Sequence, residues 1–181
     1  MQVLLLLSLM LMSQANADEP RVISPLPTEG WRLITDGVMG GVSRGEMLSE
    51  TRQGRACIGL RGQVSTDNNG GFIQIALDIS DFASLAKDHD GLRLEVIGNG
   101  EQYNVHLRTA DLWFPWQSFR ASFDTSSDWQ RIHLPFSEFQ PYKSSASLRP
   151  ARLRRVGIVA IGRDFDADVC VSGVALYRSR D

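Results

Sequence analysis

The chain has 181 residues, 43% of them hydrophobic, with 19 basic against 21 acidic side chains and a formal net charge of −2. So even a balance excludes general nucleic-acid binding, which runs on a basic surface. The length suits one domain, and a chain near this size buries about 68–70% of its unfolded surface, so it needs no staple to fold.

The first seventeen residues carry no charged side chain, Val3 to Met12 are almost wholly apolar, and Ala15-Asn16-Ala17 gives an Ala-x-Ala cleavage signal before Asp18. This is the pattern of a secretory signal peptide, with only the α-amino group as its positive end. The apolar run is too short to cross a hydrocarbon core, which takes about 20 residues. Cleavage near Ala17 leaves 181 − 17 = 164 residues, with no transmembrane segment in the mature chain. The expected organisation is a signal peptide at 1–17, an N-terminal extension at 18–30 and a single domain at 31–178, exported to a periplasm or secreted.

Asp36-Gly37-Val38-Met39-Gly40-Gly41-Val42-Ser43 is too irregular for a strand or a helix. Its glycines permit positive φ or close backbone approach, and Asp36 and Ser43 can bond to nearby amides. Two readings stay open: a loop whose amides meet a ligand or partner, or a buried crossover that needs glycine for space. Gly41-Val42-Ser43-Arg44-Gly45 has the letters of a nucleophile elbow, but that motif needs a strand before it, a helix after it and an α/β sheet beneath.

Cys57 and Cys170 each sit in an alternating apolar segment. If Ile58 and Leu60 face the core, Cys57 faces outward, and the same period turns Cys170 away from Val169 and Val171. Two outward cysteines on neighbouring strands of an exported chain can form a disulfide; the alternative is two small buried hydrophobes that never meet.

Further along, short alternating runs at 72–77, 92–97, 103–108, 119–123, 129–134, 156–161 and 169–177 are separated by Gly, Asn, Asp and Pro. The runs at 92–97 and 103–108, split by Gly98-Asn99-Gly100, are expected to form a β-hairpin. Only 82–87 resembles a helical turn, with Asp78 and Asp81 placed to cap it. Eight or more strands with few helices point to an all-β fold, an antiparallel jelly-roll β-sandwich. Trp129 and Leu134-Pro135-Phe136 are expected as core aromatics leading into an edge turn.

Trp113-Phe114-Pro115-Trp116 follows the strand that ends at Arg108. Flat indoles beside Tyr103, Arg108 and Arg120 can stack on sugar rings or grip an apolar peptide, or they can simply cover an open end of the sandwich. Arg149, Arg152, Arg154 and Arg155 form a basic cluster, for anionic headgroups or acidic partners, or as a solvated strand entry. Asp164-Phe165-Asp166-Ala167-Asp168 opens like a calcium loop, but Val169 replaces the glycine and Ala175 the bidentate glutamate. His89, His106 and His133 show no zinc spacing, and no phosphate or dinucleotide loop exists. No metal and no cofactor is expected.

Several segments together resemble the complex I intermediate-associated protein 30 family. They are Asp36 to Ser43, Asn69-Gly70-Gly71-Phe72, Asp90-Gly91-Leu92, Gly98 to Tyr103, Phe123-Asp124-Thr125, and Trp129 with Leu134 to Phe139. The resemblance implies a galactose-binding-domain-like jelly roll without catalytic function that holds partially assembled complexes. The leading expectation is therefore a non-catalytic exported domain that binds proteins or assembly intermediates of an envelope complex. The alternative is a carbohydrate-binding module taking an envelope glycan. Asp36, Gly40, Gly41, Ser43, Asn69, Tyr103, Arg108, Trp113, Trp116 and Arg120 are the candidate binding residues. An enzyme with a site outside these motifs would draw first on Asp36, Ser43 and Asn69.

Overall fold

The computed structural model describes residues 21–25 and 30–179, apart from the side chains of Arg21, Ser24, Pro25 and Asn69. The expected signal peptide at 1–17 lies outside the described residues. Alternation of apolar and polar side chains builds twelve strands among the described residues. They are β1 (Arg21–Pro25), β2 (Trp31–Thr35), β3 (Arg44–Arg52), β4 (Arg55–Val64), β5 (Phe72–Asp78) and β6 (Gly91–Gly98), then β7 (Gln102–Thr109), β8 (Ser118–Asp124), β9 (Gln130–Pro135), β10 (Gln140–Tyr142), β11 (Leu153–Ile161) and β12 (Phe165–Tyr177).

The strands form two antiparallel sheets. The first runs β3-β4-β12-β6-β9, with β1 also paired to β12; the second runs β10-β8-β7-β11-β5-β2. The all-β sandwich expectation holds. β12 is long enough to pair with β4 along its first half and with β1 along its second. The short helix appears where expected, as α1 (Ala83–Ala86) after a 3-10 turn, and Asp78 Oδ1 accepts the Ser80 N–H at 2.8 Å.

The core lies between the sheets because every second residue of each strand points there. Ile58, Leu60, Leu94 and Val169 from the first sheet pack in one cluster with Ile75, Leu107, Phe119 and Ile158 from the second, all of them inaccessible to solvent.

Two expectations, for the hairpin and for Trp129, need correction. The run split by Gly98-Asn99-Gly100 is not a hairpin: β6 pairs with β12 and β9, and β7 with β11 and β8, in different sheets. The turn instead crosses between layers, held by Asn99 Nδ2 donating to Asp166 O at 2.8 Å and by Glu101 O accepting from Thr125. The cysteine reading holds: both side chains point away from the core. Cys57 and Cys170 are buried on the outer face of the first sheet against Ile97 and joined as a disulfide, with Cα atoms 5.7 Å apart. Trp129 is the lid of that small cluster rather than a residue of the core; its Nε1 donates to Arg52 O at 3.1 Å. Pro135 does end β9, an edge strand, where a missing donor is harmless.

The outer face of the first sheet is otherwise closed by ion pairs. Arg52 and Arg61 reach Glu50 and Asp168, while Arg55, Arg93 and Arg131 converge on Glu95.

Candidate functional site

The outer face of the second sheet is built differently. Residues of β5, β7, β8 and β11 that alternate with the core positions line a groove of about 820 Å³. Cross-strand register sets Arg120 opposite His106, and His106 opposite Gly157, in one row across three strands. In a neighbouring row Arg108 faces Arg155. Gln74 of β5 completes the floor.

One wall comes from the glycine-rich motif. Asp36–Met39 forms a 3-10 turn that lifts Val38 and Met39 into solvent, 75% and 60% exposed, and both line the groove. What holds the turn is Asp36, which is wholly buried. Its carboxylate accepts hydrogen bonds from Ser43 Oγ (2.5 Å) and from the N–H groups of Gly71 (2.6 Å), Ser43 (3.1 Å) and Phe72 (3.3 Å). A Cβ at Gly41 would lie 2.3 Å from Asp36 Cγ, and one at Gly70 2.5 Å from Oδ2, so these glycines make room for a buried acid. Burial pushes the Asp36 carboxyl up, but the hydrogen bonds outweigh it and hold the pKa below the usual carboxylate range.

The opposite wall is the aromatic loop. Arg108 fastens it from beneath: Nη1 donates to the carbonyls of Phe114 (2.8 Å), Pro115 (2.9 Å) and Gln117 (2.6 Å), and Nη2 to Leu112 O at 3.4 Å. Gln117 Oε1 accepts from the N–H groups of Trp113 and Phe114, and its Nε2 donates to Lys143 O. Trp116 stacks on Phe114 with ring centroids 4.8 Å apart and planes 8° from parallel, and it lines the groove. Beside it the Arg120 guanidinium lies over the Tyr142 ring, 3.4 Å from its centre, while Nε donates to Ser118 Oγ at 3.0 Å.

The structure thus gathers Arg108, Trp116 and Arg120 of the expected residues into one groove. Asp36, Gly41 and Ser43 support its far wall from behind, and Gly40 closes the turn with a φ of +89°. Asn69 lies in the adjoining 3-10 turn, its side chain outside the described residues. Trp113 is 89% exposed and points elsewhere. Tyr103 faces the core, its hydroxyl donating to Asn99 Oδ1 and accepting from the Asp168 N–H, and burial pushes its pKa up to about 12.

Other groups are occupied by structural partners. Ser43 Oγ also accepts the Ser65 N–H at 3.0 Å, which leaves it embedded rather than poised for attack. Arg149 and Arg152 pair with Asp111, so Arg155 is the member of the basic cluster that reaches the groove. Asp164 accepts from Thr66 N–H and Oγ1, and Asp168 pairs with Arg52 and Arg61. His106 is neutral: burial, then the charges of Arg120 and Arg155, push its pKa down to about 3. Its Nε2 is enclosed and has no hydrogen-bond partner among the described residues.

Sequence reasoning missed Gln74, Tyr142, Gly157, Val38 and Met39 as groove residues. Strand alternation told which side chains leave the core; it does not tell which strands stand side by side.

The model of the family described as "Complex I intermediate-associated protein 30" matches residues 21–169. No curated protein matches the sequence. Among solved structures, the chain is similar to the family 11 carbohydrate-binding module from Clostridium thermocellum in complex with a β-1,3-1,4-mixed-linked tetrasaccharide. That likeness has a TM-score of 0.73 at 11% identity, over 90% of this chain and 97% of the module. It is also similar to the family 30 carbohydrate-binding module of a cellulosomal cellulase from the same organism, with a TM-score of 0.55 at 14% identity over 91% and 95% of the two chains. These likenesses establish the shared sandwich fold. Among the described residues no helix is long and apolar enough to cross a membrane.

Proposed function

The chain belongs to the complex I intermediate-associated protein 30 family, and we propose that it is a non-catalytic binding module whose groove takes an extended saccharide. The groove carries the proposal. It is an open trough across a sheet face, with Trp116 and Tyr142 on one wall and hydrogen-bonding side chains on its floor. Aromatic rings offer flat apolar faces on which a sugar ring can stack, and the polar floor can meet its oxygens. A peptide gains main-chain hydrogen bonds at a sheet edge, whereas on a sheet face the strand N–H and C=O groups already pair with one another. The two similar modules are named for carbohydrate binding, which supports testing that class first.

The proposal extends to location. The uncharged segment at 1–17, with its apolar run from Val3 to Met12, and the Cys57–Cys170 bond both suit export to an oxidising compartment.

The test is calorimetric titration with a β-1,3-1,4-linked tetrasaccharide and a panel of neutral and acidic oligosaccharides. Binding is expected at roughly millimolar to micromolar affinity, about tenfold weaker in Trp116→Ala, with the melting temperature nearly unchanged. A flat titration with every glycan sinks the saccharide reading.

The family description and the 89% exposure of Trp113 outside the groove favour a second reading, a protein partner such as an assembly intermediate of an envelope complex. Trp113→Ala separates the two, weakening protein capture while leaving saccharide titration intact.

A further inference from the structure

The groove has an electrostatic character that a neutral saccharide does not explain. Its lining includes Arg108, Arg120, Lys143 and Arg155 with His106 among them, and neither an aspartate nor a glutamate, in a chain whose net charge is −2. On the outer face of the first sheet, by contrast, Arg52, Arg55, Arg61, Arg93 and Arg131 are each within ion-pair distance of a carboxylate. The Arg155 side chain has no hydrogen bond or ion pair among the described residues. The carboxylate opposite it in register, Asp78, is engaged by Ser80. The Gln74 side chain also lines the groove, on a residue that is only 8% exposed.

Guanidinium and ammonium groups only donate, and an indole N–H only donates. A ligand made of neutral hydroxyls can bond to the Gln74, His106 and Tyr142 side chains of this lining, but it leaves the cations without an anionic partner. A ligand rich in charged oxygen matches them. We infer that the ligand of this groove is an acidic oligosaccharide whose sugar carboxylates are held by Arg155 and Arg120, with a sugar ring against Trp116; this rests on the saccharide reading above.

The free protein supports the same direction. Burial disfavours the charges of Arg155 and Arg120, and Arg32 adds repulsion at Arg155, against a smaller attraction from Asp78. A bound carboxylate relieves that strain, and the planar guanidinium offers it two parallel donors. Gly157 keeps the row between His106 and β5 free of a side chain. A Cβ there would come within 2.9 Å of Gln74 Oε1 and fill the floor.

The experiment is calorimetry and thermal melting of the full chain with trigalacturonate, its methyl ester, a neutral β-1,3-1,4-linked tetrasaccharide and an oligoglutamate of matched charge. Trigalacturonate is expected to bind at least about tenfold more tightly than the ester, more weakly as salt rises, with Arg155→Gln and Arg120→Gln each losing about tenfold. Ligand-free Arg155→Gln is expected to melt no lower than the parent, which a merely structural arginine would not allow. Equal affinity for acid and ester, or for the Arg155→Gln variant and the parent, overturns the inference while leaving the saccharide reading standing. Oligoglutamate binding without trigalacturonate binding, or no binding by any sugar, overturns both.

Discussion

Asp36 is a carboxylate with no access to water, and its four hydrogen-bond donors come from two loops far apart in sequence. Asp36→Asn places an amide among donors, so at least one of those bonds becomes a clash. The expected loss is about 3 kcal/mol in denaturant unfolding, and a loss below roughly a third of that would remove the acid from its structural role. The groove floor holds a second titrating group. His106 has an ordinary value of 6.5 in the unfolded chain and about 3 when folded, so the unfolded state takes up a proton first as pH falls. Stability from this residue is complete above pH 6.5 and declines toward pH 3. Asp36, held below 3.8, adds a loss in the same direction once pH drops beneath that value. Unfolding curves between pH 7 and 4 are expected to slope downward in the parent and to flatten in His106→Gln. The importance of Asp36 and Ser43 was legible in the sequence, because an acid and a hydroxyl among glycines have few uses. Their partner was not: that they bond to each other and to Gly71 depends on where two loops land.

At the scale of elements, the aromatic loop is a case of one side chain shaping a segment. Arg108 points outward from β7 and spends its donors on four carbonyls of residues 112–117. Arg108→Lys keeps the charge but loses the fork, and amide exchange in 113–117 is expected to quicken markedly while the strands stay protected. Stability is expected to fall by only about 1–2 kcal/mol, because the loop is largely in solvent. Unchanged exchange would mean that Gln117 alone orders the loop. The strands of the core were readable from their alternation, and α1 from its Asp-rich entry. The hairpin misreading at Gly98-Asn99-Gly100 shows the limit. Such a turn is compatible with pairing its two flanks, yet both edges of β6 are claimed by β12 and β9. β3 was missed for the opposite reason: its sequence, Arg-Gly-Glu-Met-Leu-Ser-Glu-Thr-Arg, is that of a polar edge strand without a clear apolar face.

Over the whole molecule, the two sheets divide their work. The first closes its outer face with paired charges and a disulfide under Trp129; the second carries an open groove across its outer face. The Cys57–Cys170 bond joins residues 113 apart in sequence, a span for which chain entropy gives about 4–5 kcal/mol. Cys57→Ser with Cys170→Ser is expected to lose about that much while retaining the fold and the groove, since neither residue lines it. Protein recovered from the cell envelope is expected to begin at Asp18 and to carry no thiol open to alkylation before reduction. A cytoplasmic product with two alkylated thiols would count against export. The same bond also sets an order of events during biosynthesis. Cys57 emerges on the fourth strand and its partner only on the twelfth, so the ribosome delivers nearly the entire sandwich before the two sulfurs can meet. Until then a nascent chain carries a lone thiol, open to capture by any other cysteine nearby, and a product truncated before β12 keeps that hazard for its lifetime.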